Sequence, residues 1–270
     1  MKLALISDIH ANLEALQATL QELSRHAVDR IVCLGDIVGY NTNPAECIAL
    51  IRKHGPLCVA GNHDRAVTGQ ITTHGFGHTA VRAVKWTRPR LDAEALAYLA
   101  ALPLTASIPG HLVAVHGALH PDRGQETVRL EDDEAKLKSF EALVAHPSRA
   151  RVCAFGHTHR VGIFEFRNGA VRDRTDDKVL LRHDAYYLVN PGAVGQQRTA
   201  DHRASFLLLD TALRVVTVHR VDYDAGAALA KTRRAGLMPA FSFLPEPVRT
   251  TLKRGVRAVG LTDVVKRIAG

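Results

Sequence analysis

Five short polar clusters along this sequence contain the residue types that carry out metal and acid–base chemistry. Each cluster directly follows an apolar run of strand length. In chain order the clusters are Asp8-Ile9-His10, Gly35-Asp36, Gly61-Asn62-His63-Asp64, His116-Gly117 and Gly156-His157-Thr158-His159. Asp and Asn supply oxygen ligands and His supplies nitrogen, a mixture that is typical of sites for divalent cations. These side chains therefore predict a metal site assembled from distant parts of the chain.

The candidate ligands outnumber the three or four protein ligands of a single zinc ion. They are Asp8, His10, Asp36, Asn62, His116, His157 and His159. A set of this size suits two ions about 3.5–4 Å apart with one carboxylate between them. Side chains two residues apart in a strand or a tight loop point the same way, so the Asp-x-His and His-x-His pairs are each expected to point inward together.

Each cluster alone is weak evidence for a metal. An Asp-x-His pair often forms a capped turn, Gly35-Asp36 also reads as an ordinary turn, and a lone His116 is more often a core histidine with its hydrogen bonds satisfied. The Gly-Asn-His-Asp and Gly-His-Thr-His clusters are more specific. The occurrence of all five in one chain, each at the end of a strand, favours a metal site over a purely structural role.

Alternating strand and helix patterns predict the framework that positions these clusters. Residues 3–7, 31–34 and 57–60 read as buried strands, separated by amphipathic helical patterns that begin after Asn12 and at Pro44. Strands that alternate with helices indicate a mainly parallel sheet. The carboxyl ends of parallel strands line one crevice, so side chains from several loops can contact a ligand bound there.

The second half of the chain has a different character, with short strands that turn back on one another. A turn at Asn168-Gly169 lies among predicted strands at 163–166, 186–189, 206–209 and 215–218. This pattern indicates antiparallel pairing. The predicted fold class is therefore α/β, with two mixed β-sheets packed as a sandwich and flanked by α-helices.

Composition is typical of a protein with one sizeable core. The chain has 270 residues, of which 46% are hydrophobic, and no stretch approaches the ~20 apolar residues of a membrane span. Residues 1–10 lack the apolar core and cleavage site of a signal peptide, so we expect a cytoplasmic protein without a transmembrane segment. The four cysteines form no Cys-x-x-Cys pair, and we expect them to be buried, reduced thiols.

The positive charge is concentrated at the C-terminal end. Residues 231–270 hold nine Lys and Arg against two acidic residues, a net charge of +7 out of the +8 of the whole chain. Apolar residues recur at helical spacing between these cations. The segment 241–270 is therefore predicted to be a basic amphipathic extension that either docks on the main domain or a second subunit, or attracts polyanions such as acidic lipid headgroups or nucleic acid.

Several motifs together resemble the calcineurin-like metallophosphoesterase superfamily, and within it the small prokaryotic phosphodiesterase branch. Besides the five clusters, the resemblance rests on the runs SDIHANLEAL at 7–16, GDIVGY at 35–40, AVKWT at 83–87 and NPGAVG at 190–195. It covers about residues 1–240, which are expected to form the metallophosphoesterase domain. The chain departs from that branch at Ala11, Asn41-Thr42 and Gln197, and none of these is a predicted ligand.

The resemblance implies a role for each cluster. It assigns one metal to Asp8, His10 and His159, the other to Asn62, His116 and His157, and the bridging position to Asp36. It also implies that His63 is a general acid or a transition-state stabiliser, oriented by Asp64. Two divalent or trivalent ions are expected, and Mn²⁺ fits this donor set best, with Fe, Ni, Co and Zn as alternatives.

The predicted function is dinuclear-metal-dependent hydrolysis of phosphate esters. A phosphodiesterase on a small or nucleotide-type substrate is expected, with attack by metal-bound hydroxide and His63 as the acid. A nuclease is an alternative that the sequence pI of 9.6 favours, but the near-neutral body and the 5% aromatic content oppose it. A non-catalytic protein-binding scaffold on the same fold is a second alternative, opposed by the complete ligand set.

Three further residues are candidates for contact with the substrate. Arg198 follows the turn at 191–195 and is as well placed to hold a phosphate or carboxylate as to lie solvated on the surface. His74 and His78 lie in a Gly-rich segment after the third cluster, and they either line the cleft or lie on the surface.

Overall fold

The computed structural model describes residues 1–121 and 124–238, and the basic segment 241–270 lies outside these residues. The α-helices of the described part are α1 (Leu13–Leu23), α2 (Pro44–His54), α3 (Asn62–Thr68), α4 (His78–Thr87), α5 (Ala93–Ala100), α6 (Asp133–Val144) and α7 (Ala225–Arg234). The strands are β1 (Lys2–Ile6), β2 (Arg30–Cys33), β3 (Leu57–Cys58), β4 (Thr105–Ile108), β5 (Leu112–Val115), β6 (Val152–Ala154), β7 (Val161–Arg167), β8 (Ala170–Asp173), β9 (Lys178–Leu180), β10 (Tyr186–Pro191), β11 (Ala204–Asp210) and β12 (Val215–Val221).

The strands form two six-stranded mixed sheets. The first has the order β3-β2-β1-β11-β12-β9 and the second has the order β4-β5-β6-β10-β7-β8. In the first sheet β1, β2 and β3 are parallel, and in the second β5, β6 and β10 are parallel. The remaining neighbours in both sheets are antiparallel. The predicted fold class is confirmed, and each sheet places a parallel group beside an antiparallel group.

The alternation of side chains along the strands explains the sandwich. In β1, Leu3 and Leu5 point into the core between the two sheets, whereas Ala4 and Ile6 pack beneath the helices of the first sheet. The second sheet repeats the pattern, with Ala114 of β5 in the core between the sheets. Because both faces of these strands are covered, they read as continuous apolar runs rather than alternating ones.

The helices begin and end where the capping signals predicted. Asn12 caps α1 by accepting a hydrogen bond from Ala15 N to its side-chain oxygen at 3.1 Å. Pro44 occupies the first turn of α2, and Gly55 ends that helix with a left-handed φ of 58°. The four cysteines are buried and free, as the sequence predicted.

Two helices were not anticipated from the sequence. Helix α3 has seven residues, too few to show a periodic apolar face, and its first three are Asn62, His63 and Asp64. Helix α7 buries only Ala228 and Thr232 within its span, so its sequence carries little amphipathic signal. Both helices contribute to the site described below.

None of the helices within residues 1–121 and 124–238 combines the length and apolar character needed to cross a membrane. The predicted cytoplasmic location, the domain boundary at residue 240 and the role of the basic extension stay predictions. The extension, predicted to form amphipathic helices, falls outside the described residues.

Candidate metal centre

The five polar clusters meet at one edge of the sandwich. Three of them follow β1, β2 and β3 of the first sheet, and two follow β5 and β6 of the second. Backbone hydrogen bonds join neighbouring loops, including Asp8 N to Gly35 O at 3.1 Å and Gly156 N to His116 O at 2.7 Å. The sandwich therefore brings both parallel groups to the same end, as expected for the carboxyl ends of parallel strands.

All the predicted ligands and the two predicted catalytic residues are buried. The most exposed of them is His157, at 8%. The set comprises Asp8, His10, Asp36, Asn62, His63, Asp64, His116, His157 and His159. Burial of this many titratable groups is unfavourable unless they are paired or hold a cation.

Most of the candidate ligands have a left-handed backbone. They are Asp8 (φ 53°), His10 (φ 49°), Asp36 (φ 52°), His157 (φ 63°) and His159 (φ 59°). The Asp-x-His and His-x-His pairs converge on the centre through tight turns, the second of the two backbone geometries that we considered. Such a conformation costs of the order of 1–3 kcal/mol for a residue other than glycine and persists only where the surroundings hold it, which is typical of functional sites.

Glycines beside the ligands allow this crowding. A Cβ atom on Gly61 would overlap Asp36 Oδ1, and one on Gly156 would overlap Ser7 Oγ while approaching Asp8 Oδ2. The glycines in these clusters are therefore required by close backbone approach.

The first group of ligand atoms comprises Asp8 Oδ1 and the Nε2 atoms of His10 and His159. His159 Nε2 lies 3.2 Å from Asp8 Oδ1 and 3.2 Å from His10 Nε2, and His10 Nε2 lies 3.8 Å from Asp8 Oδ1. These three atoms point at one small volume, and together they form a suitable half-site for a cation.

Backbone carbonyls fix the tautomers of three histidines. The Nδ1 atom of His10 bonds to Val38 O at 3.1 Å, that of His116 bonds to Leu34 O at 2.7 Å, and that of His159 bonds to Gln196 O. Because a carbonyl oxygen only accepts, each Nδ1 carries the proton. The Nε2 atoms then face the centre, as metal-binding histidines require.

The second group is built around His116. Its Nε2 atom lies 3.1 Å from Asn62 Oδ1 and 3.4 Å from Asp36 Oδ2. The His157 ring is next to it, with 5.1 Å between the two ring centroids, and the ligand atoms of Asp36, His116 and His157 lie within 4.8 Å of one another. Oxygen and nitrogen donors therefore surround a second small volume.

Asp36 lies between the two groups. Its Oδ2 atom is 3.5 Å from His10 Nε2 in the first group and 3.4 Å from His116 Nε2 in the second. Its other oxygen, Oδ1, accepts a hydrogen bond from the backbone N–H of His63 at 2.8 Å. One oxygen is thus anchored to the start of α3 while the other faces both groups.

Burial and neighbouring charges move the pKa values of these groups in opposite directions. Burial raises the pKa of Asp8 to about 7 and lowers that of His159 to about 3. Burial alone would lower the pKa of His116, but the carboxylates of Asp36 and Asp8 outweigh it and raise the value to about 9. Burial opposes ionisation of Asp36, yet the adjacent His116 and His63 hold its pKa well below the usual range.

These residues fit a pair of divalent cations. Asp8 Oδ1 is buried and has no hydrogen-bond partner among the described residues. This carboxylate oxygen therefore needs a donor or a cation beside it. The Nε2 atoms of His10 and His159 face each other at 3.2 Å with both Nδ1 atoms engaged, and two nitrogen lone pairs approach this closely only with a proton or a cation between them. A cation in each group would satisfy these atoms.

The orientation of His63 by Asp64 stays a prediction, and the described residues show no hydrogen bond between the two side chains. The Asp64 oxygens accept hydrogen bonds from Val38 N at 3.1 Å and Gly61 N at 3.0 Å, and His63 Nδ1 has no hydrogen-bond partner within the described part of the chain. Because Asp64 is the third residue of α3, its carboxylate caps the helix instead of reaching the ring one residue before it. Asp64 therefore fixes the helix start that carries His63.

The His63 ring is held by packing. It lies between the rings of Tyr40 and Phe76, with centroid distances of 4.7 Å and 5.2 Å. A Cβ atom on Gly39 would overlap His63 Nδ1, so the backbone closes this side of the ring. Burial lowers the pKa of His63, which favours the neutral imidazole in the absence of a bound anion.

A cavity of about 330 Å³ opens onto the metal centre. Arg198 and His74 line it, so the structure places these two candidates at the site, whereas the exposed His78 begins α4 outside the lining. Sequence reasoning did not single out three other lining residues, Tyr40, Phe76 and Arg129. Tyr40 is the last residue of the GDIVGY run and Phe76 lies in the Gly-rich segment between His74 and His78, but Arg129 carries no sequence signal.

A larger space of about 750 Å³ lies away from the centre, near the start of β10. It is lined by residues such as Arg167, Arg182 and Arg214, and it contains none of the candidate ligands. The chemistry of the side chains therefore identifies the smaller cavity as the functional one.

Comparison with known proteins places this geometry in context. The family model for the calcineurin-like phosphoesterase superfamily domain matches residues 1–213. An uncharacterized protein of Methanocaldococcus jannaschii is 34% identical over 233 residues, a match that covers 85% of this chain and 90% of that protein.

Solved structures share the fold. A metallophosphoesterase from Sphaerobacter thermophilus is 35% identical with a TM-score of 0.73, covering 88% of this chain and 95% of that one. A hypothetical protein from Pyrococcus horikoshii OT3 is 18% identical with a TM-score of 0.68, covering 92% of this chain and 95% of that one. The family match includes every candidate ligand and ends before α7.

Proposed function

Because this chain belongs to the calcineurin-like phosphoesterase superfamily, we propose that it is a phosphodiesterase that acts on small or nucleotide-type substrates at a dinuclear metal centre. The observation that carries the proposal is the position of Asp36 Oδ2, which lies 3.5 Å from His10 Nε2 and 3.4 Å from His116 Nε2. A carboxylate oxygen that faces two groups of ligands is the feature required to hold two ions close together.

The proposed ligands divide into two sets that share Asp36. One ion would be held by Asp8, His10, Asp36 and His159, and the other by Asp36, Asn62, His116 and His157. Bound divalent cations would supply Lewis-acid activation of a water molecule and neutralisation of the phosphate charge. Carboxylate, amide and imidazole donors together suit Mn²⁺ best, and Fe, Ni, Co and Zn are also compatible with them.

His63 is proposed to donate a proton to the leaving oxygen. Its ring lines the cavity beside Asp36, and its backbone N–H bonds to the Asp36 carboxylate at 2.8 Å, which sets its position relative to the metal centre. Burial lowers the pKa of His63, but the negative charge of a bound phosphate opposes that effect and favours the protonated ring. Asp64 contributes by holding the first turn of α3.

The walls of the cavity support a small anionic substrate. Arg198 lies close enough to Asp8, His63 and His159 to affect their pKa values electrostatically, and Arg129 lines another part of the same cavity. Two guanidinium groups beside a metal pair suit a phosphate or a second anionic group. Phe76 offers an apolar ring surface on which an aromatic group of the substrate can stack.

A polymeric substrate is less well supported. The cavity of about 330 Å³ is at the small end of the range for small-molecule sites, and it contains two aromatic side chains rather than a row of them. A non-catalytic scaffold would not need seven buried donor groups and a histidine arranged around two volumes. Turnover of a small diester therefore remains the proposed activity.

The proposal is tested with protein stripped of metal by a chelator and reconstituted with each metal in turn. We expect bis(p-nitrophenyl) phosphate to be hydrolysed faster than p-nitrophenyl phosphate, with two metal ions per chain by elemental analysis. Single-stranded DNA is the comparison substrate, and its preferential cleavage would support a nuclease instead. Absence of turnover with every metal, despite two bound ions, would support the scaffold.

A further inference from the structure

Helix α7, which lies beyond the residues of the family match, reaches towards the metal centre through Thr232. The Thr232 hydroxyl lies 2.9 Å from Asn41 Oδ1 and 2.9 Å from the Ala228 carbonyl oxygen, and its single proton is shared between these acceptors. Both Thr232 and Asn41 are buried. Without the hydroxyl, Asn41 Oδ1 would be a buried acceptor that lacks its donor, which is unfavourable.

Asn41 transmits this contact to a candidate ligand. Its side-chain Nδ2 donates to the backbone carbonyl of His10 at 2.9 Å, and its backbone N–H donates to the same oxygen at 3.1 Å. Nδ2 donates to the His10 carbonyl, so Oδ1 points away from that carbonyl and towards the Thr232 hydroxyl. The three residues form one buried chain of hydrogen bonds from α7 to His10.

His10 needs such support because its backbone is left-handed, with a φ of 49°. The ring is held at Nδ1 by Val38 O, so the position of Nε2 depends on where the surrounding loops place the His10 backbone. Metal ligands must lie within a few tenths of an ångström of their ideal distances. A small movement of the His10 carbonyl would therefore change the affinity of the group formed with Asp8 and His159.

Lys231, the neighbour of Thr232, anchors the helix at the same place. Its Nζ atom lies 2.6 Å from Glu14 Oε1 on α1 and 2.5 Å from Asn43 Oδ1, two residues after Asn41. These contacts hold α7 against both the helix after the first cluster and the loop after the second. Thr232 is thereby held in register with Asn41.

We infer that Thr232 is a positioning residue that sets the metal affinity of the Asp8–His10–His159 group through Asn41, so that α7 is part of the metal centre. This inference rests on the proposed metal centre. It concerns the strength of one ion's binding, and it does not require Thr232 to touch substrate, because Thr232 lies outside the residues that line the cavity.

The decisive variant is Thr232→Val, which replaces the hydroxyl by a methyl group of similar size. We will titrate the metal-free variant with Mn²⁺ in a calorimeter. One of the two ions is expected to bind about tenfold more weakly than it binds to the wild type, which is the size of loss seen when other residues that orient metal ligands are replaced. Thr232→Ser, which keeps the hydroxyl, is expected to bind both ions within about twofold of the wild type.

Thr19→Val is the matched control. Thr19 is a fully buried threonine in α1 whose hydroxyl has no hydrogen-bond partner within the described residues, so its replacement tests the general effect of valine in a buried helix position. We expect this variant to bind both ions as the wild type does. If Thr232→Val does not fold, Thr232→Ala removes the same hydroxyl with less bulk and takes its place.

A second experiment tests the path through Asn41. Asn41→Ala should lower the affinity for the same ion. The double variant Asn41→Ala/Thr232→Val should bind this ion no more weakly than Asn41→Ala does, because both changes break the same chain of hydrogen bonds. Turnover of bis(p-nitrophenyl) phosphate by Thr232→Val should fall at limiting Mn²⁺ and recover at high Mn²⁺ with an unchanged KM.

The inference is overturned if Thr232→Val binds both ions as tightly as the wild type, or if the two single effects add in the double variant. These outcomes leave the proposed function intact. A wild-type protein that binds fewer than two ions would instead overturn the proposed function and this inference together.

Discussion

The Asp36 carboxylate accepts a hydrogen bond from the backbone N–H of His63 at 2.8 Å, through the oxygen that does not face the ligand groups. The bridging candidate and the proposed acid are therefore joined directly, although they are 27 residues apart in sequence. The start of α3 orients Asp36, and Asp36 in turn holds α3 against the metal centre. Changes at either residue should nevertheless have different consequences.

Asp36→Asn should weaken the binding of both metal ions at once. The change removes the negative charge from the only predicted bridging ligand while keeping the size of the side chain. Replacing residues that merely orient metal ligands already costs 10–100-fold, so loss of this ligand should lower kcat/KM by at least ~100-fold. Elemental analysis should find fewer than two ions per chain. Asp210→Asn, at the half-buried end of β11 and outside the candidate ligands, is the control. Two retained ions with normal turnover in Asp36→Asn would refute the bridging role.

His63→Ala should affect the chemical step more than metal binding. We expect two ions per chain and a loss in kcat of about 10²–10⁴-fold, the scale of a lost general acid. The loss should be smaller for a p-nitrophenyl leaving group than for an alkyl leaving group, because p-nitrophenolate needs little protonation. Equal losses for both would contradict proton donation, and loss of an ion would identify His63 as a ligand instead.

Metal affinity should rise with pH. In the metal-free protein the pKa of Asp8 is raised to about 7 and that of His116 to about 9, so both groups hold protons that a cation must displace. Between pH 9 and 7 the proton on His116 should weaken binding by about tenfold per pH unit, and below pH 7 the proton on Asp8 should steepen the decline.

Calorimetry in buffers of different ionisation enthalpy would count the protons released. About one proton per chain is expected at pH 8, where His116 is still largely protonated and Asp8 is not. The His159 ring, with its pKa lowered to about 3, should contribute none. An affinity that does not change between pH 6 and 9 would show that these shifts are absent.

Phe76→Leu should lower kcat/KM unequally for two substrates that share a leaving group. Bis(p-nitrophenyl) phosphate carries a second aromatic ring, whereas methyl p-nitrophenyl phosphate carries a methyl group in its place. Ring stacking of about 1–3 kcal/mol predicts a selective loss in kcat/KM of roughly 5- to 150-fold for the first substrate, and Phe76→Tyr should preserve kcat/KM for it. Equal losses on both substrates would indicate that Phe76 acts by holding the His63 ring instead.

Apart from α3 and α7, the helices, the main strands and the candidate ligands followed from local sequence patterns. Apolar runs of strand length, Asn12 as a cap, and Pro44 and Gly55 at the ends of α2 are features that act over a few residues, and the structure has them where predicted. The donor chemistry of Asp, Asn and His is a property of the side chain itself. Short-range physics was therefore enough to predict both the sandwich and the set of buried donors.

The orientation of those donors depended on contacts distant in sequence. The left-handed backbone at His10 is held by hydrogen bonds from Asn41 Nδ2 to the His10 carbonyl and from the His10 N–H to Asp36 O. The Asp64 carboxylate bonds to the backbone N–H groups of Val38 and Gly61. Neither arrangement has a local signal, because both arise when two loops meet.

Arg129 and Thr232 show the same limit most clearly. Arg129 lines the cavity from a segment without a recognisable motif. Thr232 lies on an alanine-rich helix that buries little apolar surface. The sequence determined which residues are able to bind metal, because that ability belongs to each side chain. Only the tertiary structure decided how closely they lie and what holds them in place, because those properties depend on distances of a few ångströms between residues up to 191 positions apart.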